Sequence, residues 1–169
     1  RRSRGWVPQR LALPVSVGSI NEDILSLGAE FDATIAVTQN GHVVPSQHVG
    51  DVDSPETLTH HRAVVRHLTE LLGVSPEVVV SDAHPDFLTT AEADRYAREG
   101  IRDTDSPVST QVFHHHAHGA SLIGEHDEER AIVITADGTG YGPDGTIWGG
   151  EVLDVRVDEF ERVGGLDTF

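Results

Sequence analysis

Four of the 11 histidines fall within five residues, His114-His115-His116-Ala117-His118, and only His114 and His118 among them are four positions apart. On a helix, that spacing sets two imidazoles on one face about 6 Å apart, so both can reach one metal ion. The competing reading is a solvated histidine tract at a helix start. Two metal sites do not fit within five residues, so His115 and His116 are expected to brace the ligands or face substrate, and they are the candidate catalytic residues. The chain has no Cys, so a third donor is expected to be an oxygen, and Asp137, at the end of the strand-like run Ala131 to Ala136, is the best candidate. Two imidazoles and one carboxylate with open positions suit Zn or Fe(II) in a substrate-binding role. Directly after Asp137, the loop containing Gly138, Thr139, Gly140 and Gly142 is expected to offer N–H groups to phosphate oxygens. A strand rather than a helix follows it, which excludes a dinucleotide fingerprint, and Gly142-Pro143-Asp144-Gly145 alone reads as a hairpin turn.

Weaker candidates lie upstream. Asp82 and His84 sit where a short strand ends, a common place for site residues, although an Asx turn before Pro85 explains them equally well. Glu30 and Thr34 could face a ligand from the first β-rich region. No nucleophile elbow accompanies a Ser/His/Asp order, so serine hydrolysis has no support.

The elements that must position these residues are legible by period. Ala33 to Thr38 and His42 to Val44, joined by Asn40-Gly41, predict a β-hairpin, with a further strand through Ser46 to Val49. Ser54-Pro55 reads as a helix start, apolar residues from Leu58 to Leu72 recur at three and four, and Gly73 stops the pattern. Val78 to Val80 predicts a buried strand, Thr90 to Glu99 a polar helix, and Val112-Phe113 a short strand before the histidines. A helix through Leu122 and Ile123 to Gly124 is expected next. Ala131 to Ala136 is the most strand-like run, and Thr146 to Leu153 returns as strand. Together these predict an α/β mixed-sheet architecture, with the runs Leu27 to Val44 and Ala131 to Leu153 in one sheet and the Pro55 to Leu72 helix packed on it.

Composition bounds the chemistry. The 169 residues carry 28 acidic and 12 basic side chains, for a formal charge of −16. Every basic residue is Arg, which excludes P-loop lysines and Schiff bases on this chain. Such a field repels a phosphate backbone, so nucleic acid is not the expected partner, and an acidic surface without Lys suits concentrated salt and points to a halophilic source. No apolar run approaches the ~18 residues of a membrane span, so a soluble, cytoplasmic protein is expected. The absence of Met predicts a fragment of a longer protein, one that stops inside a continuing domain.

At these residues the chain resembles the HypF family of carbamoyltransferases, which make the cyanide-destined carbamoyl group of NiFe-hydrogenases. The resemblance is carried by Arg1 to Pro8, Ser46-Gln47-His48-Val49-Gly50-Asp51, Ser81-Asp82-Ala83-His84-Pro85-Asp86-Phe87, His114 to His118, and the specific run Asp137 to Glu151. It implies that residues 1–20 are the tail of a YrdC-like domain and a linker. It also implies that residues 25–169 are the N-terminal half of a Kae-like transferase domain, an actin/sugar-kinase-like mixed sheet with flanking helices, first subdomain only. In that family carbamoyl phosphate and ATP yield carbamoyl-adenylate, and the carbamoyl group passes to the C-terminal cysteine of the partner HypE. The resemblance implies that His114 and His118 bind the metal that holds the nucleotide phosphates, with Asp137 as companion, and that a downstream acidic ligand lies outside this chain.

Rival readings share the fold. A tRNA threonylcarbamoyl transferase keeps Glu-Gly before the second histidine, where this chain has His116-Ala117, and must approach an RNA that the acidic surface repels. Antibiotic-type O-carbamoyltransferases are closer, but the Tyr141 to Trp148 run favours the HypF family, and an inactive metal-binding fragment is the non-enzymatic alternative.

Overall fold

A computed structural model describes residues 9–14, 20–102 and 106–166. Among them the chain divides into two compact units, residues 9–12 with 20–102 and 106–111, and residues 13–14 with 112–166.

The first unit is a six-stranded mixed sheet in the order β1-β4-β3-β2-β5-β6. Its strands are β1 (Leu11–Ala12), β2 (Ile24–Ser26), β3 (Ala33–Gln39), β4 (His42–Gly50), β5 (Val78–Asp82) and β6 (Val108–Val112). Asn40 and Gly41 both take positive φ, 50° and 72°, the geometry of the tight hairpin turn that Asn-Gly favours. The region through Ser46 to Val49 is not a separate strand but the continuation of β4. Helix α1 (Pro55–Leu72) carries the chain across the sheet, so that β5 pairs in parallel with β2, Ile24 opposite Val78. Its ends are set as the residues suggest. Ser54 and Thr57 form a reciprocal capping box, and Gly73 closes the helix at φ 66°, a left-handed position that a side chain strains.

Alternation along the strands buries Leu25 and Leu27 in one run and Ile35 and Val37 in the next, and these meet Val65 and Leu68 of α1 and Ala93 and Tyr96 of α2 (Leu88–Glu99). Each aliphatic side chain so buried contributes roughly 1.5–3 kcal/mol. The two helices are also tied by charge. The Glu92 carboxylate, almost wholly buried, accepts from Arg62 Nε and Nη2 at 2.9 and 2.7 Å and from Arg95 Nε at 3.0 Å. Burial pushes the carboxyl up, and the two guanidinium groups outweigh it and hold Glu92 below its ordinary range.

His61 of α1 is fully buried, and its Nε2–H donates to the Leu27 carbonyl at 3.0 Å while Nδ1 has no partner. Burial holds this imidazole below the ordinary histidine range, against the smaller pull of the Leu27 bond and Glu92. The unfolded chain takes up that proton near pH ~6.5, so the stability His61 contributes is complete above that value and is lost as pH falls below it. His61→Gln retains a donor for Leu27 and does not titrate. The loss of denaturation midpoint between pH 7 and pH 5 is expected to shrink in this variant, and an unchanged slope would assign the pH response elsewhere.

The second unit begins with α3 (His114–His126) and contains the three-stranded antiparallel sheet β11-β10-β7, built from β7 (Ala131–Thr135), β10 (Glu151–Val155) and β11 (Phe160–Gly165). A two-stranded ribbon, β8 (Gly140–Tyr141) with β9 (Ile147–Trp148), lies between β7 and β10 in sequence. Ile123, Val133, Trp148, Leu153 and Val155 form its core. Gly119 of α3 is buried, and a Cβ there would come within 2.8 Å of Val155, so glycine lets the helix lie close on β10.

The expected single sheet is therefore corrected. The Leu27 to Val44 region and the Ala131 to Leu153 region belong to different sheets, and β10 and β11 complete the pairing of β7 locally. Among the described residues no helix is long and apolar enough to cross a membrane.

Candidate metal and phosphate site

The histidine run opens α3 rather than preceding it, and the first turns of the helix put His114 and His118 on one face. Their Nε2 atoms lie 3.2 Å apart. The turn after β7 brings Asp137 to the same place, its Oδ2 3.5 Å from His118 Nε2. One donor atom from each of the three residues lies within 4.8 Å of the others. Donors around a tetrahedral ion at ~2.05 Å stand ~3.3 Å from one another, so the two measured separations fit such an ion closely.

Unsatisfied atoms gather here too. Asp137 Oδ2 and both ring nitrogens of His115 are buried without a hydrogen bond, in a molecule where buried polar groups are nearly always paired. The donor set, two imidazoles and a carboxylate, is that of a divalent cation.

His115 does not face outward as a substrate-facing residue would. It is 1% exposed, because one helical step turns it about 100° from His114, under the loop at Gly140. A Cβ on Gly140 would stand 2.4 Å from His115 Cε1. Its Nε2 lies 3.8 Å from Asp137 Oδ2, and burial holds the ring below the ordinary histidine range against the pull of that carboxylate. His116 is not brought to the group. It stacks on Phe160, ring centroids 4.8 Å apart, and pairs through Nε2 with the Arg156 carbonyl at 3.0 Å.

The glycine loop is partly corrected. The Gly142 N–H is donated to Thr146 at 2.9 Å, and that of Gly145 to Gly142 at 3.0 Å, so the hairpin takes the amide of Gly142 expected for phosphate. Gly140 and Gly142 are instead small because His115 and Trp148 lie against them. At Gly138 a Cβ would meet nothing within 4 Å, so the Gly138-Thr139 end is the part of the loop with room for a ligand. Asp144 Oδ1 accepts from Thr146 N–H at 3.0 Å and from Trp148 Nε1–H at 3.0 Å, which fixes the hairpin.

The upstream candidates resolve as local structure in the first unit. The Asp82 carboxylate accepts the His84 N–H at 2.8 Å, an Asx turn, and His84 stacks on Phe87 at 4.0 Å. Glu30 Oε2 accepts the Leu88 N–H at 2.6 Å, serving the start of α2, whose own N-cap, Phe87, has no side-chain acceptor. Thr34 lies in β3 opposite His48. Glu151, buried at the end of the Asp137 to Glu151 run, escaped sequence reasoning because its partner Arg162 lies on the next strand.

Residues 19–125 match the model of the HypF Kae1-like domain. The chain belongs to that family. Residues 133–169 match the model of the second subdomain of the carbamoyltransferase Kae1-like domain. A carbamoyltransferase HypF of Synechocystis is 36% identical over all of this chain, which spans 21% of that relative. The crystal structure of T. kodakarensis HypF superposes with a TM-score of 0.86 at 36% identity, covering 99% of this chain and 21% of that one. Full-length HypF in a phosphate- and nucleotide-bound form gives 0.80 at 34% identity, covering 94% and 24%. The fold is thus the α/β, actin/sugar-kinase-like architecture of HypF Kae1-like domains. The first family match runs through most of α3, although α3 packs with the second unit.

Proposed function

We propose that this chain is the metal- and nucleotide-handling part of a cytoplasmic HypF-type carbamoyltransferase. In the whole protein, carbamoyl phosphate and ATP give carbamoyl-adenylate, and the carbamoyl group passes from it to the C-terminal cysteine of a HypE-like acceptor. The observation that carries the reading is the convergence of His114, His118 and Asp137 at ligand-ligand spacing. A divalent Zn or Fe ion held by these three would act as a Lewis acid toward phosphate oxygens. Asp137 supplies the negative charge of the set, His115 backs it from the buried side, and the open backbone at Gly138 and Thr139 gives the phosphates room. That a full-length relative was solved in a phosphate- and nucleotide-bound form is in keeping with a protein of this family that handles both. The formal net charge of −16 argues against nucleic acid as a partner and fits a small anionic substrate only where a cation offsets it.

The test is a Synechocystis HypF carrying this chain in place of its matching segment. Carbamoyl phosphate-dependent release of pyrophosphate from ATP is expected in a single turnover with and without Asp137→Asn, because in the family this chain resembles the adenylate forms at the YrdC-like domain. Carbamoylation of HypE is expected to fall at least ~10-fold in the variant. Transfer at the unsubstituted rate would overturn the assignment.

A further inference from the structure

The Glu151 carboxylate is buried beside the second unit's loop and has no part in the chemistry proposed above. Its Oε1 accepts the N–H of Gly149 at 3.0 Å, and its Oε2 accepts the Nε–H of Arg162 at 2.6 Å. The same Arg162 guanidinium lies 4.9 Å over the Trp148 ring. Space for the pair is built into the neighbouring strand. Gly165 stands opposite Glu151 in the β10–β11 register, and a Cβ there would come within 2.5 Å of Glu151 Oε2 and 2.8 Å of Arg162 Nη2. A buried carboxylate is costly where an apolar residue of the same volume would serve. What it holds is therefore informative.

Gly149 answers that question. A Cβ on it would stand 2.6 Å from the Gly138 carbonyl oxygen and 3.2 Å from that of Asp137, so the backbone at Gly149 lies directly against the two residues that begin the candidate site. We propose that Glu151 is a positioning residue. By holding the Gly149 N–H, it fixes the backbone on which Asp137 and Gly138 rest and so sets the Asp137 carboxylate relative to His114 and His118. This rests on the metal reading, and partners of this kind around metal ligands typically affect affinity 10–100-fold.

The test uses the full chain with Co²⁺ as the probe, read by its d–d absorption, alongside hydrogen exchange of the metal-free chain. Glu151→Gln keeps the shape but removes the charge that Arg162 meets. Its Co²⁺ affinity is expected to fall about tenfold, and exchange across residues 136–142 to accelerate while strands 131–135 and 151–155 keep their protection. Glu151→Asp, which keeps the charge that Arg162 meets but is one methylene too short to reach the Gly149 N–H as well, is expected to act in the same direction and decides the matter if Glu151→Gln does not fold. Full Co²⁺ affinity with unchanged loop exchange overturns the proposal, as does acceleration spread evenly through both strands, which marks a purely structural role. Should the unsubstituted chain take up no Co²⁺, the metal reading fails, and loop-specific exchange alone confirms or overturns the positioning role.

Discussion

His114→Ala and His118→Ala are each expected to reduce the affinity of this chain for Zn²⁺ or Fe²⁺ by at least ~100-fold, because two remaining donors seldom hold a divalent ion against water. The effect is separable from folding. The His118 side chain is 52% exposed and His114 half-buried, so the metal-free variants are expected to unfold within ~0.5 kcal/mol of the unsubstituted chain, as surface substitutions generally do. His116→Ala is the internal control. Its ring meets Phe160 and Arg156 instead, so metal stoichiometry is expected to survive. Bound metal measured after dialysis, together with thermal unfolding by circular dichroism, checks all three, and undiminished metal in both ligand variants would sink the site.

Gly140→Ala adds a single carbon and is expected to act on both stability and metal. The new Cβ would lie 2.4 Å from His115 Cε1 and 2.7 Å from Nδ1, and the ring, buried in the first turn of α3, has no exposed face into which to swing. Overpacking of this kind costs roughly 1–3 kcal/mol. Displacing His115 also disturbs the neighbours of Asp137 Oδ2, so metal affinity is expected to fall about tenfold. If Gly140 served chiefly to admit phosphate, the substitution would weaken nucleotide binding and leave the metal-free chain as stable as before. Denaturant unfolding without any ligand separates the two roles.

Local signals in the chain translated well into structure. Asn40-Gly41 made its hairpin, Ser54 and Gly73 bounded α1, and the four-residue spacing of His114 and His118 placed both rings on one helical face. Asp137, named from its place at the end of a strand, comes within 4.8 Å of a donor atom of each of those two histidines. Features set by distant partners were not legible in the same way. Alternating apolar residues mark a strand but not its sheet, so β7 was assigned to the sheet of β3 and β4 when its partner is β10. The glycines at 140 and 142 looked like a phosphate cradle because a missing side chain does not reveal whether a ligand or a neighbouring ring fills the space. Only the positions of His115 and Trp148 decide it. Glu151 and Arg162, 11 residues apart, carry no periodic signature at all.

The two units also differ in how far their chain must travel to close. Joining β2 to β5 brings Ile24 to Val78 in parallel, across the whole hairpin and α1. In the second unit the strand partners are near in sequence, Thr135 with Glu151 and Val155 with Phe160. Loops must close before distant pairings give any return, and folding slows as the mean separation of contacts grows. The turn bearing Asp137 consequently belongs to the faster-closing half, and pulsed hydrogen exchange during refolding should find β7 and β10 protected ahead of β2 and β5. In a refolding chain, an ion held as proposed by His114, His118 and Asp137 would find its donors while the longer crossover is still being made, and would act as an early staple for one half rather than as a late addition to a finished molecule.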